Sequence, residues 1–410
     1  MQLKRVVITG RGAVSPFGTG VATLVDHIRA GHSAIQTMDD WSQITSMKSR
    51  LAAPVPDFDA KEFLPRNMRR TMGPMALYAT IAAMEAVREA KFEPKDLHSG
   101  TIGVVMGSTT GSPLANEYFY SRFLPDMVID QIKSGEFFQM MSHTCSANVC
   151  LALGITGEQW STNCACTSSL QAMGLGALLI RTGRQRAMLC GGADEVHHSV
   201  TGVFDLLRAA SSTNDTPETS PRPFDRNRDG VVCGGGGGVL VLEEYESAMT
   251  REATVYAEIT GFGNVNDAVH IANPHEEAMG RAMTAALTEA RVTADEIDYV
   301  SAHATATRAG DRAEALAIAN TLGQRVPVSS LKGHMGHTLG AAGALETILL
   351  LEMMQQQEMI PTRNLVDIDP ECGMINLIQK KTACPINTVL KNNFALGGVN
   401  TSLVLRRITQ

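Results

Sequence analysis

Short runs of β-branched and other apolar residues recur along the chain, each bounded by glycine or charged residues. Examples are RVVIT at Arg5–Thr9, TIGVVM at Thr101–Met106, AMLC at Ala187–Cys190 and DYVS at Asp298–Ser301. Runs this short and this apolar predict buried strands. Segments with helical spacing lie between them. From Pro74 to Phe92, the residues Leu77, Ile81, Met84 and Val87 recur every three or four positions, which predicts a helix that buries those four side chains. Ala344–Met354 predicts another helix, rich in small apolar residues. Strands alternating with helices predict an α/β fold whose sheets are mostly parallel and covered by helices.

Two motifs occur twice. VVITGRG (Val6–Gly12) is echoed by AEITGFG (Ala257–Gly263), and GGGGGVLVLEE (Gly234–Glu244) by ALGGVNTSLVLRR (Ala395–Arg407). The echo predicts two related halves, residues 1–250 and 251–410. Between their apolar elements, SSTNDTPETSPRPFDRNRDG (Ser211–Gly230) is polar and proline-rich, and predicts a long surface loop.

Composition narrows the function classes. In 410 residues, 44% are apolar and 19% charged, enough for a large core. A formal charge of -7 argues against a general affinity for nucleic acid or anionic membranes. The 8 cysteines are irregularly spaced and form no disulfide framework. No stretch approaches the roughly 20 apolar residues of a spanning helix, and MQLKRVVITG lacks the features of a secretory leader. These features predict a soluble protein of a reducing, cytoplasmic compartment.

The candidate chemistry starts at TNCACTSS (Thr162–Ser169). Thr167, Ser168 and Ser169 are helix-capping residue types, so Cys166 stands where a helix begins and Cys164 in the extended approach. The positive end of a helix dipole favours thiolate there. A buried cysteine alone behaves as a small apolar residue, so the nucleophile reading needs a base. Among 11 histidines, two contexts supply candidates. His303 ends the apolar run Val300–Ala302, at the kind of strand end where open sheets carry their chemistry. His334 and His337 lie with Lys332 in a glycine-rich stretch ahead of the second predicted helix. Together these point to a Cys/His/His site. Other motifs are incomplete: Gly10 and Gly12 are followed by Ser15 instead of the third glycine of a dinucleotide fingerprint, and Gly234–Gly238 lack the Lys-Ser/Thr of a phosphate loop. His334 and His337 lack the HExxH pattern and His197 and His198 are adjacent, so no metal site is predicted.

With these residues in place, the chain resembles the elongating group of the β-ketoacyl-acyl-carrier-protein synthases, condensing enzymes of the thiolase fold. The likeness runs the whole length, through VVITGRGAVSPFG (Val6–Gly18), ACTSS (Ala165–Ser169), RPFDRNRDG (Arg222–Gly230), AHATAT (Ala302–Thr307), Lys332 with His337 and GAAGALE (Gly340–Glu346), and NNFALGGVN (Asn392–Asn400). The resemblance implies two similar βαβαβαββ halves in a five-layered α-β-α-β-α core, commonly a homodimer. It implies that Cys166 takes an acyl group from acyl carrier protein as a thioester. Malonyl on a second carrier would be decarboxylated, and its enolate would attack that thioester. Nε2 of His303 and His337 would donate to the enolate oxygen, and the backbone N–H groups of Cys166 and Leu396 would form the oxyanion hole. Lys332 and Glu314 would pair to organise the pocket. Thr305 and Thr307 would bind phosphopantetheine, which arrives on the carrier, so no resident cofactor is implied. Arg66, Arg69, Arg70 and Arg208 would meet the acidic carrier.

The chain also departs from the family pattern. Ala304, Arg308 and Gly235 replace a usual glycine, proline and acidic residue. Leu396 stands where a second phenylalanine usually gates the acyl pocket, Phe394 remains, and Thr110 takes an apolar position at the pocket floor. Ordinary fatty-acid elongation is therefore joined by a second expectation, a ketosynthase of a specialised polyketide or polyene pathway, in which a heterodimer is an alternative. A non-catalytic chain-length partner is disfavoured by the retained Cys166, His303 and His337. A thiolase acting on CoA esters is disfavoured by the histidine pair.

Overall fold

The computed structural model describes residues 3–408. Its principal sheet is built from β1 (Val6–Ser15), β2 (Ile102–Gly107), β3 (Gln159–Ser161), β4 (Ala187–Asp194), β5 (Gly236–Glu244), β6 (Ala257–Asn266), β7 (Tyr299–Ser301), β8 (Pro327–Ser329), β9 (Asn376–Leu377), β10 (Thr388–Ala395) and β11 (Val399–Arg406). The helices used below are α1 (Pro74–Ala90), α2 (Pro113–Phe123), α3 (Thr144–Leu153), α4 (Ser168–Arg181), α5 (His198–Leu206), α6 (Glu276–Ala290), α7 (Arg308–Leu322) and α8 (Ala342–Gln356).

One strand pattern is laid down twice. From β1 outward the order is β1-β5-β4-β2-β3, antiparallel for two steps and then parallel. From β6 outward, β6-β11-β10-β7-β8-β9 repeats those directions. A short antiparallel ladder, Val6 to Ile259 through Ile8 to Ala257, joins the two runs. The repeated Ile-Thr-Gly sits at a register shift in each half, between Ile8 and Gly10 and between Ile259 and Gly261.

Three apolar cores separate the layers. α1 and α3 cover the outer face of the first half, and α6 and α7 that of the second. Between the halves lie α4 and α8, in a core that takes Val6, Ile8, Leu240 and Leu242 from one side and Val389, Leu403 and Leu405 from the other. Because the strands are buried on both faces, successive residues alternate between cores: Val239 and Val241 point outward, Leu240 and Leu242 inward. α8 is buried nearly all round, as a central-layer helix must be. Among the described residues, no helix is long and apolar enough to cross a membrane.

The first predicted helix forms as α1 and buries Ile81 and Val87 as expected, but its buried face is centred elsewhere. Ala76, Ala79, Ala82, Ala83, Ala86 and Ala90 turn inward, while Leu77 and Met84 are only partly buried. The physical reason is how closely α1 lies on the sheet. A Cβ at Gly12 would fall 1.9 Å from the Ala82 carbonyl oxygen, and one at Gly10 2.3 Å from that of Ala86. The second half repeats the device, with Gly263 at 2.0 Å from Ala282 O and Gly261 at 2.1 Å from Ala286 O. So short a helix-to-strand distance selects alanine over leucine.

The expected surface loop is also different. Ser211, Ser220, Phe224, Asp225 and Arg228 in Ser211–Gly230 are buried. The Arg228 guanidinium lies 3.6 Å from Asp311 and 2.5 Å from Asp369, and donates to the Arg308 carbonyl at 3.0 Å. Residues 212–219 run along the surface as expected, whereas residues 220–230 form a polar wedge against the start of α7, because their charged side chains find partners on elements far along the chain.

The close approach is testable. Gly12→Ala and Gly263→Ala are each expected to destabilise the protein by about 3 kcal/mol, the upper range of overpacking costs. Gly202→Ala in α5, where a Cβ meets nothing within 4 Å, is expected to be neutral or stabilising by up to about 1 kcal/mol through helix propensity. Urea denaturation of the three variants measures the contrast, and equal effects would refute the packing argument.

Candidate active site

β3 ends at Ser161, and the chain enters α4 through a single 3₁₀ turn, Ala165–Thr167. The turn is sharp. Ala165 adopts φ 50, and Ser168 Oγ donates to the Ala165 carbonyl at 2.7 Å while accepting from the Cys164 N–H at 3.0 Å. This geometry holds Cys166 buried at the turn, ahead of α4, with Cys164 half-buried outside the histidine cluster.

His303 follows β7. Its backbone N–H and that of Ala304 donate to the two oxygens of Glu314 on α7, at 2.8 and 2.7 Å. The Asn393 amide of β10 donates to the Cys166 carbonyl oxygen at 3.2 Å, which sets the amide's orientation. The same Nδ2 is 3.3 Å from His303 Nδ1. Nδ1 is therefore the acceptor, and the ring proton sits on Nε2. His337 is placed by its backbone, whose N–H donates to the Val232 carbonyl at 2.7 Å; both its ring nitrogens are buried without a partner. The two imidazoles meet edge to face with centroids 5.1 Å apart. Cys166 Sγ and a nitrogen of each ring all lie within 4.8 Å of one another.

The expected Lys332–Glu314 pair does not form. Lys332 Nζ lies 2.6 Å from Glu346 on α8, and the same carboxylate holds Lys391 of β10, also at 2.6 Å. Glu314 instead accepts the two backbone N–H groups above and the Asn392 side-chain amide at 3.3 Å. Residue chemistry alone could not rank Glu346 over Glu314, because the choice depends on how α8 crosses β10. Glu346, Lys391, Asn392 and Asn393 are the site residues that sequence reasoning missed; Glu346, Asn392 and Asn393 lay inside motifs already singled out, GAAGALE and NNFALGGVN.

Burial sets the protonation states. It pushes the Cys166 thiol up to about 12, with Lys332 opposing, so the resting side chain is a neutral thiol and not the thiolate expected from the helix dipole. Desolvation outweighs the dipole because the thiol is buried. Burial, reinforced by Lys332, holds both His303 and His337 well below the ordinary histidine range, so both rings are neutral.

A cavity of about 470 Å³ opens onto these residues. Cys166, His303 and His337 share its wall with Thr305, Thr307, Phe394 and Leu396. Thr305 Oγ1 and Thr307 Oγ1 are 3.2 Å apart, on the turn where Ala306 takes φ 69. Thr110 is not in this cavity. It lines a second one of about 650 Å³, and Phe204 and Leu396 border both. Arg208 lines the first cavity together with Arg308, whereas Arg66, Arg69 and Arg70 line neither, lying in and just after the short helix Arg66–Arg69.

The buried charges make a stability prediction. Glu346→Gln leaves two buried ammonium groups without a counter-charge and is expected to cost about 3–5 kcal/mol, as for other broken buried pairs. Lys391→Met is expected to cost much less, because Glu346 keeps Lys332. Urea denaturation at neutral pH compares them, and a Glu346→Gln protein as stable as the parent would refute the account.

Comparison with known proteins agrees with this geometry. Residues 3–248 match the beta-ketoacyl synthase N-terminal domain model, and residues 256–366 the C-terminal domain model. The tetracenomycin polyketide synthase ketoacyl synthase alpha subunit of Streptomyces glaucescens is 35% identical, covering 98% of this chain and 97% of that protein. The 3-oxoacyl-[acyl-carrier-protein] synthase 2 of Vibrio harveyi is 34% identical over 100% of both. The crystal structure of a beta-ketoacyl synthase from Burkholderia phymatum superposes with a TM-score of 0.96 at 43% identity, covering 99% of this chain and 100% of that one. The chain therefore belongs to the beta-ketoacyl synthase family, the carbon-carbon bond-forming acyltransferases of the thiolase-like fold.

Proposed function

We propose that the protein is a 3-oxoacyl-[acyl-carrier-protein] synthase of fatty-acid elongation, which condenses malonyl on acyl carrier protein with an acyl group held on Cys166. The observation that carries this reading is the convergence of Cys166, His303 and His337 within 4.8 Å at the wall of one cavity. In the first half-reaction Cys166 Sγ bonds to the acyl carbonyl, the carrier's sulfur leaves, and the thiol proton ends on that sulfur. No net charge is created, which suits a thiol whose pKa burial pushes up to about 12. The oxyanion of this step is held by the backbone N–H groups of Cys166 and Leu396.

In the second half-reaction malonyl loses CO₂, its enolate carbon attacks the thioester as the Cys166 thiolate leaves, and the thiolate takes up one proton from solvent through the open cavity. The enolate oxygen needs neutral donors that do not collapse it by proton transfer. His303, with its proton on Nε2, and His337, with both ring nitrogens unpartnered, suit that role. Thr305 and Thr307, beside the cavity, receive the phosphopantetheine that arrives on the carrier, so the reaction asks for no resident cofactor. Of the four arginines expected to meet an acidic carrier, Arg208 is the one at the cavity, where Arg308 accompanies it. Leu114, Tyr118, Leu124, Met127, Ile129, Phe137 and Phe138 are exposed in one stretch of the chain, which supports a homodimer. A cytoplasmic, reducing compartment accords with eight free cysteines.

A second reading, a ketosynthase of a polyketide or polyene pathway, is favoured by Leu396 at the border of both cavities and Thr110 in the larger one. The likeness to the tetracenomycin ketosynthase supports it equally.

Incubation with acyl-carrier substrates of graded length, read by mass spectrometry, is expected to give an acylated Cys166 peptide that is absent in Cys166→Ala. Saturated straight chains acylating fastest would favour elongation, poly-β-ketone or polyene chains the second reading, and no acylation by any substrate would refute both. His303→Ala and His337→Ala are expected to keep acylation within about tenfold and lose malonyl decarboxylation by about a hundredfold or more. Asn393→Ala, which frees the His303 tautomer, is expected to follow His303→Ala with a smaller loss, on the order of tenfold. Unchanged CO₂ release in both histidine variants would remove them from the mechanism.

A further inference from the structure

The wall of the second cavity carries a cluster that the condensation does not use. Glu117 on α2 and the consecutive His197 and His198 at the start of α5 bring one carboxylate oxygen and two ring nitrogens within 4.8 Å of one another. His197 Nε2 lies 2.7 Å from Glu117 Oε2, and His198 Nε2 lies 3.6 Å from the same oxygen. The rings lie close but tilted, with centroids 4.1 Å apart and planes at 32°.

A hydrogen bond between a histidine and a glutamate accounts for His197 alone. At 3.6 Å the His198 nitrogen is beyond hydrogen-bonding range, yet it converges on the oxygen that His197 already holds. Three donors around one point, two imidazoles and a carboxylate, form the ligand set of catalytic-type zinc sites, with the remaining position open to the cavity. Zinc bonds of about 2.0–2.1 Å in a tetrahedron space neighbouring donors by roughly 3.4 Å, so the exposed Glu117 and half-exposed His198 need only small rotations. A group that orients a ligating histidine is also present. His197 Nδ1 accepts from the Ser199 backbone N–H at 3.3 Å and lies 2.8 Å from Ser199 Oγ, which fixes the ring with Nε2 toward Glu117; the proton that Nε2 carries in this state leaves when a metal ion takes its place. No lysine or arginine lines this cavity to compete for Glu117.

We propose that Glu117, His197 and His198 bind a divalent transition-metal ion of the zinc class at the wall of the cavity next to the reactive cysteine. The adjacency of the two histidines gives no zinc motif in sequence; the third donor comes from α2, some 80 positions away in the chain.

The test is a Co²⁺ titration followed by visible absorption and Zn²⁺ displacement, on full-length Cys166→Ala protein. That background is needed because Cys166, His303 and His337 are themselves a set of three potential ligands. The expected result is saturation at one equivalent, with d–d bands of four- or five-coordinate Co²⁺ that Zn²⁺ abolishes. His198→Ala and Glu117→Gln, on side chains exposed enough to leave the fold intact by circular dichroism, are each expected to weaken binding at least tenfold. Binding that fails to saturate at one equivalent, or that is unchanged in both His198→Ala and Glu117→Gln, would overturn the proposal.

Discussion

The reactive centre depends on one buried amide. Asn393 stands on β10 of the second half and donates to the carbonyl of Cys166, which belongs to the first half, while facing Nδ1 of His303. Nucleophile and imidazole come from different halves, so no local element can position one against the other. A single side chain that touches both fixes their separation and the tautomer of the histidine together. Thr401 Oγ1 donates to the Asn393 carbonyl at 2.9 Å, and the β10–β11 ladder holds the strand beneath it. The rigidity of the second sheet is thereby passed to the thiol.

Around that amide the structure keeps charge close to the chemistry without exposing it to water. Glu346 is shared by Lys332 and Lys391, and all three are buried. Burial holds the imidazoles neutral; the positive environment left by two ammonium groups on one carboxylate reinforces this, and Lys332 counters the rise in the thiol's pKa. Glu314, offset on α7, spends its oxygens on the backbone at His303 and Ala304 and so shapes the strand end itself. Two buried glutamates thus have separate tasks: one balances charge and the other fixes backbone. The same burial makes removal of Glu346 costly, because its partners cannot reach solvent.

The legible part of the molecule was whatever repeats locally. Apolar runs located β1, β2, β4 and β7, and the spacing at Pro74–Ala90 located α1, because strand and helix periodicity are properties of neighbouring residues. The face of α1 was read only in part, since leucine and methionine outrank alanine in hydrophobicity: Ile81 and Val87 are buried, but Leu77 and Met84 give way to alanines. Only the close approach of Gly10 and Gly12 makes alanine the residue that fits. Ser211–Gly230 looked like solvent-exposed loop because its charges have no partners nearby in sequence; Arg228 finds Asp311 and Asp369 only after folding.

By itself the sequence determined the α/β class, the duplication carried by VVITGRG and AEITGFG, the helix start that singles out Cys166 over Cys164, and the short list of histidines. Each of these follows from spacing, capping or composition, which act over a few residues. Tertiary structure alone decided that Lys332 pairs with Glu346 and not Glu314, that Thr110 and Thr307 line different cavities, that Asn393 sets the tautomer of His303, and that the Cys166 thiol rests neutral. Those outcomes depend on desolvation and on contacts between distant segments, and both exist only once the two halves have closed on each other.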